Sequence, residues 1–112
     1  MIEPEQCSSM SEVRAGLDVL DREIVRLLAR RFRYIDAAAR IKQERDQIRD
    51  DERIAIVIDG VRSSAAAEGA PVERIAEVYA NLIESSIGYE LDKFDAGLGQ
   101  ALRPGGQVHP PE

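Results

Sequence analysis

From Ser11 to about Asp46 the chain reads SEVRAGLDVLDREIVRLLARRFRYIDAAARIKQERD, with apolar residues at Val13, Leu17, Leu20, Ile24, Leu27, Leu28, Ile35, Ala38 and Ile41. Steps of three and four put these residues on one stripe of an α-helix; a strand needs alternation, and there is none. The stretch has no proline and a single glycine, so nothing in it interrupts a helix. Ser9 and Glu12 stand at the spacing of a capping box and predict where the helix starts. At about 1.5 Å rise per residue it is roughly 50 Å long, far more than the width of a compact domain of this size. Such a helix needs a partner along its length, and a coiled coil or an intertwined helical dimer supplies one whatever the function.

After Lys42 the periodicity stops. QERDQIRDDER is highly charged and predicts a mobile hinge or loop. Asp50 or Asp51 then caps a second helix that runs through Ile54, Val57, Ile58 and Val61 to Glu68, with Gly69 as its stop. Gly60 weakens this helix by about 1 kcal/mol relative to alanine, so a short helix held by packing is expected. Gly69-Ala70-Pro71 turns the chain, and Pro71 is placed for the first turn of a third helix. That helix carries Val72, Ile75, Val78, Tyr79, Leu82, Ile83, Ile87, Leu91 and Phe94 on one face and is expected to end near Asp95 or Ala96. Residues 1–8, polar and containing Pro4, read as an irregular lead-in; residues 97–112, rich in Gly and Pro, read as a flexible tail. The expected fold is all-α: one helical domain over 9–96, with a three-helix protomer of long, short and medium helices.

Composition narrows the function. With 112 residues the chain makes one domain with a modest core. Fifteen Lys and Arg against 21 Asp and Glu leave a net charge of −6, which argues against a general binder of nucleic acid or anionic membranes but leaves room for local basic pockets. Aromatics are 4% and there is no Trp, so the core is aliphatic and alanine-rich, as in helical bundles. Cys7, the single cysteine, forms no internal disulfide, and with no signal peptide or long apolar run the chain reads as soluble and cytoplasmic. Neither Cys7 nor His109, the one histidine, has neighbours suited to catalysis or metal binding, and no cofactor is expected. The basic residues of the first helix fall in clusters: Arg14; Arg26, Arg30, Arg31 and Arg33; Arg40 and Lys42. Most are solvated surface. A cation beside the apolar stripe is costly unless an anion meets it.

Three helices in this order, with ARR about midway along the first and a lysine near its end, resemble the AroQ-type chorismate mutase family. The similarity covers roughly residues 7–95. It rests on VRAGLDVLDREIVRLLARR, the AARIK segment, the D-x-x-R at Asp50 and Arg53, and LIESSIGYE in the third helix. The opening C-x-x-M-x-E-V-R and the R-x-x-Y-I-x-x-A-A-x-I-K run are especially similar to the family's isochorismate pyruvate lyase branch, the salicylate-forming enzymes. None of these motifs is specific alone; their joint order and spacing carry the likeness.

The resemblance implies an intertwined homodimer with each active site built from both chains. The spacing gives a separate reason for pairing. Arg14 and Arg31 are 17 residues apart, roughly 25 Å along one straight helix, too far to grip one small molecule. Two such helices packed antiparallel bring Arg14 of one chain towards the Arg31 and Lys42 region of the other, in two equivalent sites.

Chorismate carries two carboxylates and an enolpyruvyl ether, and it rearranges to prephenate in one pericyclic step without nucleophile, metal or cofactor. By resemblance, Arg14 of the partner chain and Arg31 clamp the two carboxylates and enforce the compact reactive conformer. Lys42 donates to the ether oxygen, where negative charge develops as the C–O bond breaks. Asp50 and Arg53 line the site from the second helix, Ser86 assists one carboxylate, and Ile87 contacts the substrate from the third helix. Two positions depart from the usual pattern. Glu90 stands where many members place a Gln that donates to the ether oxygen. A carboxylate cannot donate and a carboxylic acid can, so Glu90 is expected to work protonated, with activity rising towards mildly acidic pH. Ile54 stands where mutases of this type often have a Glu contacting the ring hydroxyl, and an apolar residue cannot read that hydroxyl.

The resemblance therefore points first to a chorismate mutase and second to an isochorismate pyruvate lyase. In the lyase reaction a hydrogen is transferred while the same ether bond breaks, and the same clamp serves. A non-catalytic helical dimerisation module also explains the long amphipathic helix and the acidic surface, but gives no reason for Arg14, Arg31 and Lys42 to stand at the family's spacings. A DNA-binding helix-turn-helix lacks a basic recognition helix.

Overall fold

The structure, a computed structural model, describes residues 2–101. Among them all regular structure is helical: α1 (Met10–Ile41), α2 (Asp51–Ala67) and α3 (Val72–Ala101), with short 3-10 turns at Pro4–Gln6 and Arg45–Gln47. The all-α expectation of a long first helix holds. The chain divides into two units between Tyr34 and Ile35. The long helix runs through the division, so each unit is described in turn.

In the first unit the residues expected to start α1 do so. Ser9 Oγ accepts from the Glu12 backbone N–H at 3.2 Å, and the Glu12 carboxylate accepts from the Ser8 N–H at 3.0 Å and from the Ser8 and Ser9 hydroxyls at 3.0 and 3.1 Å. The reciprocal arm of the capping box thus lands one residue earlier than the sequence pattern implies. These donors, the Ser8 backbone N–H foremost, hold the Glu12 carboxyl below its ordinary value. Within α1 no residue before Ala39 is buried. Leu17, Leu20, Ile24 and Leu27 keep 51, 45, 51 and 58% of their surface exposed. The apolar stripe read from the sequence is there, and within this chain it is uncovered.

The second unit holds the core. Ala39, Ile48, Ala65, Ala76 and Ile83 are buried, and α2 packs against α3. Small residues at 39, 65 and 76 let the helices approach closely, as the alanine-rich composition predicts. Ile54, Val57, Ile58 and Val61 of α2 are half-buried, as are Ile75, Tyr79, Leu82, Ile87, Leu91 and Phe94 of α3; Val78, expected on the same face, is 63% exposed.

Asp50 is the N-cap of α2, accepting from the Arg53 N–H at 3.0 Å. At the other end Ala70 N–H bonds Ala65 C=O at 2.9 Å and Gly69 N–H bonds Ala66 C=O at 3.1 Å, a Schellman motif that puts Gly69 at φ +68°. The α2 helix is not short: it runs 17 residues despite Gly60, since burying one face outweighs a single unfavourable propensity. Pro71 lies just before α3 rather than inside it, its C=O accepting from Ile75 N–H at 3.0 Å.

The α3 helix does not stop near Asp95 or Ala96 but continues to Ala101. Extending a formed helix past Gly97 and Gly99 is cheaper than nucleating one, and the first proline beyond is Pro104. The connection after Lys42 is also not featureless. It contains the turn Arg45–Gln47, and Ile48 is buried. His109 lies outside the described residues.

Candidate active site

Lys42 directly follows α1, its N–H continuing the helical ladder to Ala38 C=O at 2.9 Å. Glu90 lies on the face of α3 that also buries Ile83 and Ser86. Lys42 Nζ donates to Glu90 Oε2 at 2.8 Å, with 30% of the lysine side chain and 6% of the glutamate side chain exposed. A buried carboxylate is costly without a partner, and this ammonium supplies one. An ammonium has three N–H donors and Glu90 takes one, so Lys42 keeps donating capacity for an incoming oxygen.

The neighbouring residue fixes the same helix pair. Tyr89 Oη donates to Asp36 Oδ1 at 2.7 Å, and Lys93 Nζ stands 5.6 Å from the Tyr89 ring centroid. The bond to Asp36, then burial, pushes the Tyr89 hydroxyl above its ordinary value. This bond joins α3 to the last turns of α1, from which Lys42 emerges. It leaves no local signal in the sequence, because its partners are 53 residues apart.

The other expected residues are placed as follows. Asp50 serves the backbone of α2 through its cap. Ser86 is buried and its hydroxyl donates to Leu82 C=O at 2.7 Å, one turn back on its own helix; contact with a substrate carboxylate requires that proton to turn away. Lys42 and Asp50 border one cleft of about 870 Å³. Arg53 borders another of about 640 Å³ with Ile56, Val57 and Tyr79, and Ile87 a third of about 550 Å³ with Gly88 and Leu91. The second unit therefore brings Lys42 to Glu90, with Ser86 one turn away, and puts Asp50 on the same cleft as Lys42, while Arg53 and Ile87 border the two others. Ile54 is half-buried in the first turn of α2. On the first unit Arg14 is exposed and Arg31 half-buried, about 25 Å apart along α1. No group of three or more His, Cys, Asp or Glu able to hold a metal ion occurs among the described residues.

The sequence profile of chorismate mutase type II matches residues 13–91 of the chain, well over half of its 112 residues. The chain belongs to that family. It is also 29% identical over 98 residues to an isochorismate pyruvate lyase of Pseudomonas aeruginosa, an alignment covering 88% of this chain and 97% of that protein. All eight candidate residues, from Arg14 to Glu90, fall inside the stretch matched to chorismate mutase type II. Membership sets the chain among enzymes of the chorismate mutase and isochorismate pyruvate lyase type, which act on a small molecule. No helix among the described residues is long and apolar enough to cross a membrane.

Proposed function

We propose that this protein is a chorismate mutase working as a homodimer, in which Arg14 and Arg31 engage the two carboxylates of chorismate and Lys42 and Glu90 attend the ether oxygen. The observation that carries the reading is the Lys42–Glu90 pair. The family's expected donor and the residue in the usual Gln position meet at 2.8 Å, with the buried Ser86 one turn away on α3. In the rearrangement the ether C–O bond breaks as a C–C bond forms between the enolpyruvyl methylene and the ring. Electrons shift within one cycle and no atom leaves. The protein's task is to hold a compact conformer and stabilise charge growing on the ether oxygen. Lys42 does this as a cation. Glu90, accepting from that ammonium, holds it in place.

Glu90→Gln, which can donate to the ether oxygen but carries no charge to hold the ammonium, is expected to change kcat on chorismate. An unchanged kcat in that variant removes Glu90 from the site. A second reading, an isochorismate pyruvate lyase, is favoured by the full-length relative from Pseudomonas aeruginosa. It uses the same ether cleavage, with a ring hydrogen passing to the enolpyruvyl methylene to give salicylate and pyruvate. The half-buried, apolar Ile54 offers no hydrogen bond to a ring hydroxyl, which leaves both ring patterns open to the clamp.

The deciding experiment incubates purified protein with chorismate and, separately, with isochorismate at mildly acidic and neutral pH, resolving prephenate, salicylate and pyruvate. Prephenate from chorismate supports the leading reading. Salicylate with pyruvate from isochorismate alone replaces it with the second. No product from either returns the chain to the dimerisation-module reading.

A further inference from the structure

The connection between α1 and α2 meets α3 through three cations. Lys42 pairs with Glu90; Arg45 spans both oxygens of Asp95, Nε to Oδ1 at 3.0 Å and an Nη to Oδ2 at 3.4 Å; an Arg49 Nη reaches Glu84 Oε2 at 2.5 Å. Along α3 the three acids lie about 9 and about 7.5 Å apart. The connection thus leaves Lys42 towards Asp95, turns, and runs back to Glu84, so the Lys42–Glu90 contact lies between two ties. The loop is also ordered within itself. Gln47 Oε1 accepts from the N–H groups of Gln43 and Glu44, both at 3.1 Å, and the buried Ile48 sits between the two arginines in sequence.

We infer that Arg45 and Arg49 are positioning residues: by pairing with Asp95 and Glu84 they strap the α1–α2 connection along α3 and hold Lys42 beside Glu90. Neither arginine need touch substrate. Both pairs are exposed, with 59 and 49% of the Arg45 and Asp95 side chains and 49 and 58% of those of Arg49 and Glu84 open to solvent. Such pairs are individually weak and screened by salt. They act on how often the loop is seated, and fold stability rests elsewhere, on Ile48 and the helix core. The catalytic part of this inference rests on the proposed function, because a seated Lys42 matters to turnover only if it acts on the ether oxygen.

The test has a readout that does not need activity. The chain has two lysines, Lys42 and Lys93, so amine acylation followed by mass spectrometry reports Lys42 against an exposed internal reference. In Arg45→Gln/Arg49→Gln the Lys42 to Lys93 labelling ratio is expected to rise about fivefold, and in the wild type to rise with salt, while the melting temperature changes little. With whichever substrate the product assay identifies, kcat is expected to fall about tenfold with KM nearly unchanged, because Lys42 acts on charge present only in the transition state. The swap Arg45→Asp/Asp95→Arg is expected to recover most of the loss seen in Arg45→Asp. An unchanged labelling ratio overturns the strap. A raised ratio with unaltered kcat overturns its role in positioning. If the wild type turns over neither chorismate nor isochorismate, the functional reading fails, while the labelling arm still decides the strap.

Discussion

Glu90 is 4% exposed, and its carboxylate pairs with Lys42. Removing that cation leaves a buried charge without its partner, which costs more than the pair contributes. Lys42→Met is expected to destabilise the protein by about 2 kcal/mol in urea unfolding, discounted for the partial exposure of the lysine. Lys42→Met/Glu90→Gln should recover most of this stability and none of the activity, so the cycle separates the structural from the chemical use of the pair. Glu12 offers a second test. Its carboxyl is held below the ordinary value by the Ser8 and Ser9 donors, so its contribution is complete above the usual carboxylate range. It is lost as pH falls through the lowered value. Glu12→Gln should flatten the acid limb of the stability profile, measured by thermal melts across that range. A limb as steep as in the wild type would mean that other carboxylates set it. The Glu12 cap was legible in the sequence because its partners lie within four residues. The direct pairing of Lys42 with Glu90 was not: the family resemblance put both at the ether oxygen, but the ion pair between residues 48 apart is seen only in the fold.

Local rules also decided the elements. Asp50 caps α2 and Gly69 closes it as their residue types predict. The misjudged boundary, the C-terminal end of α3, is one where Gly97 and Gly99 weaken the helix without stopping it, no proline stands before Pro104, and elongation is cheap. The loop after Lys42 read as structureless because its order comes from Gln47 folding onto Gln43 and Glu44 and from Ile48 entering the core. Two glycines of this region predict opposite outcomes for one substitution. A Cβ at Gly69 or Gly60 meets nothing within 4 Å, so only the backbone differs between them. Gly69 sits at φ +68°, and Gly69→Ala is expected to cost about 1 kcal/mol. Gly60→Ala, in the interior of α2, is expected to add about 0.5–1 kcal/mol. Denaturant midpoints of the two variants check the sign. A loss at both positions would mean that Gly60 lies against something outside this chain.

For the whole molecule the governing feature is the uncovered stripe of α1. Burying the exposed halves of Leu17, Leu20, Ile24 and Leu27 against a second copy releases roughly 1 kcal/mol or more per side chain. Summed over both copies, that gain is on the order of 10 kcal/mol, of the same size as the cost of bringing two bodies together. Ile24→Glu, which puts a charge in the middle of the stripe, is expected to yield monomers in sedimentation velocity, while a Glu at the exposed Val78 of α3 leaves the assembly intact. Dimers persisting with Ile24→Glu would move the interface off this face. Under the proposed homodimer, dilution is itself a perturbation. By mass action the melting temperature should climb with protein concentration, and specific activity should fall on dilution below the dissociation constant. A cell would then set the output of this enzyme by the square of how much of it is made at low abundance, and only in proportion once the pairs are full.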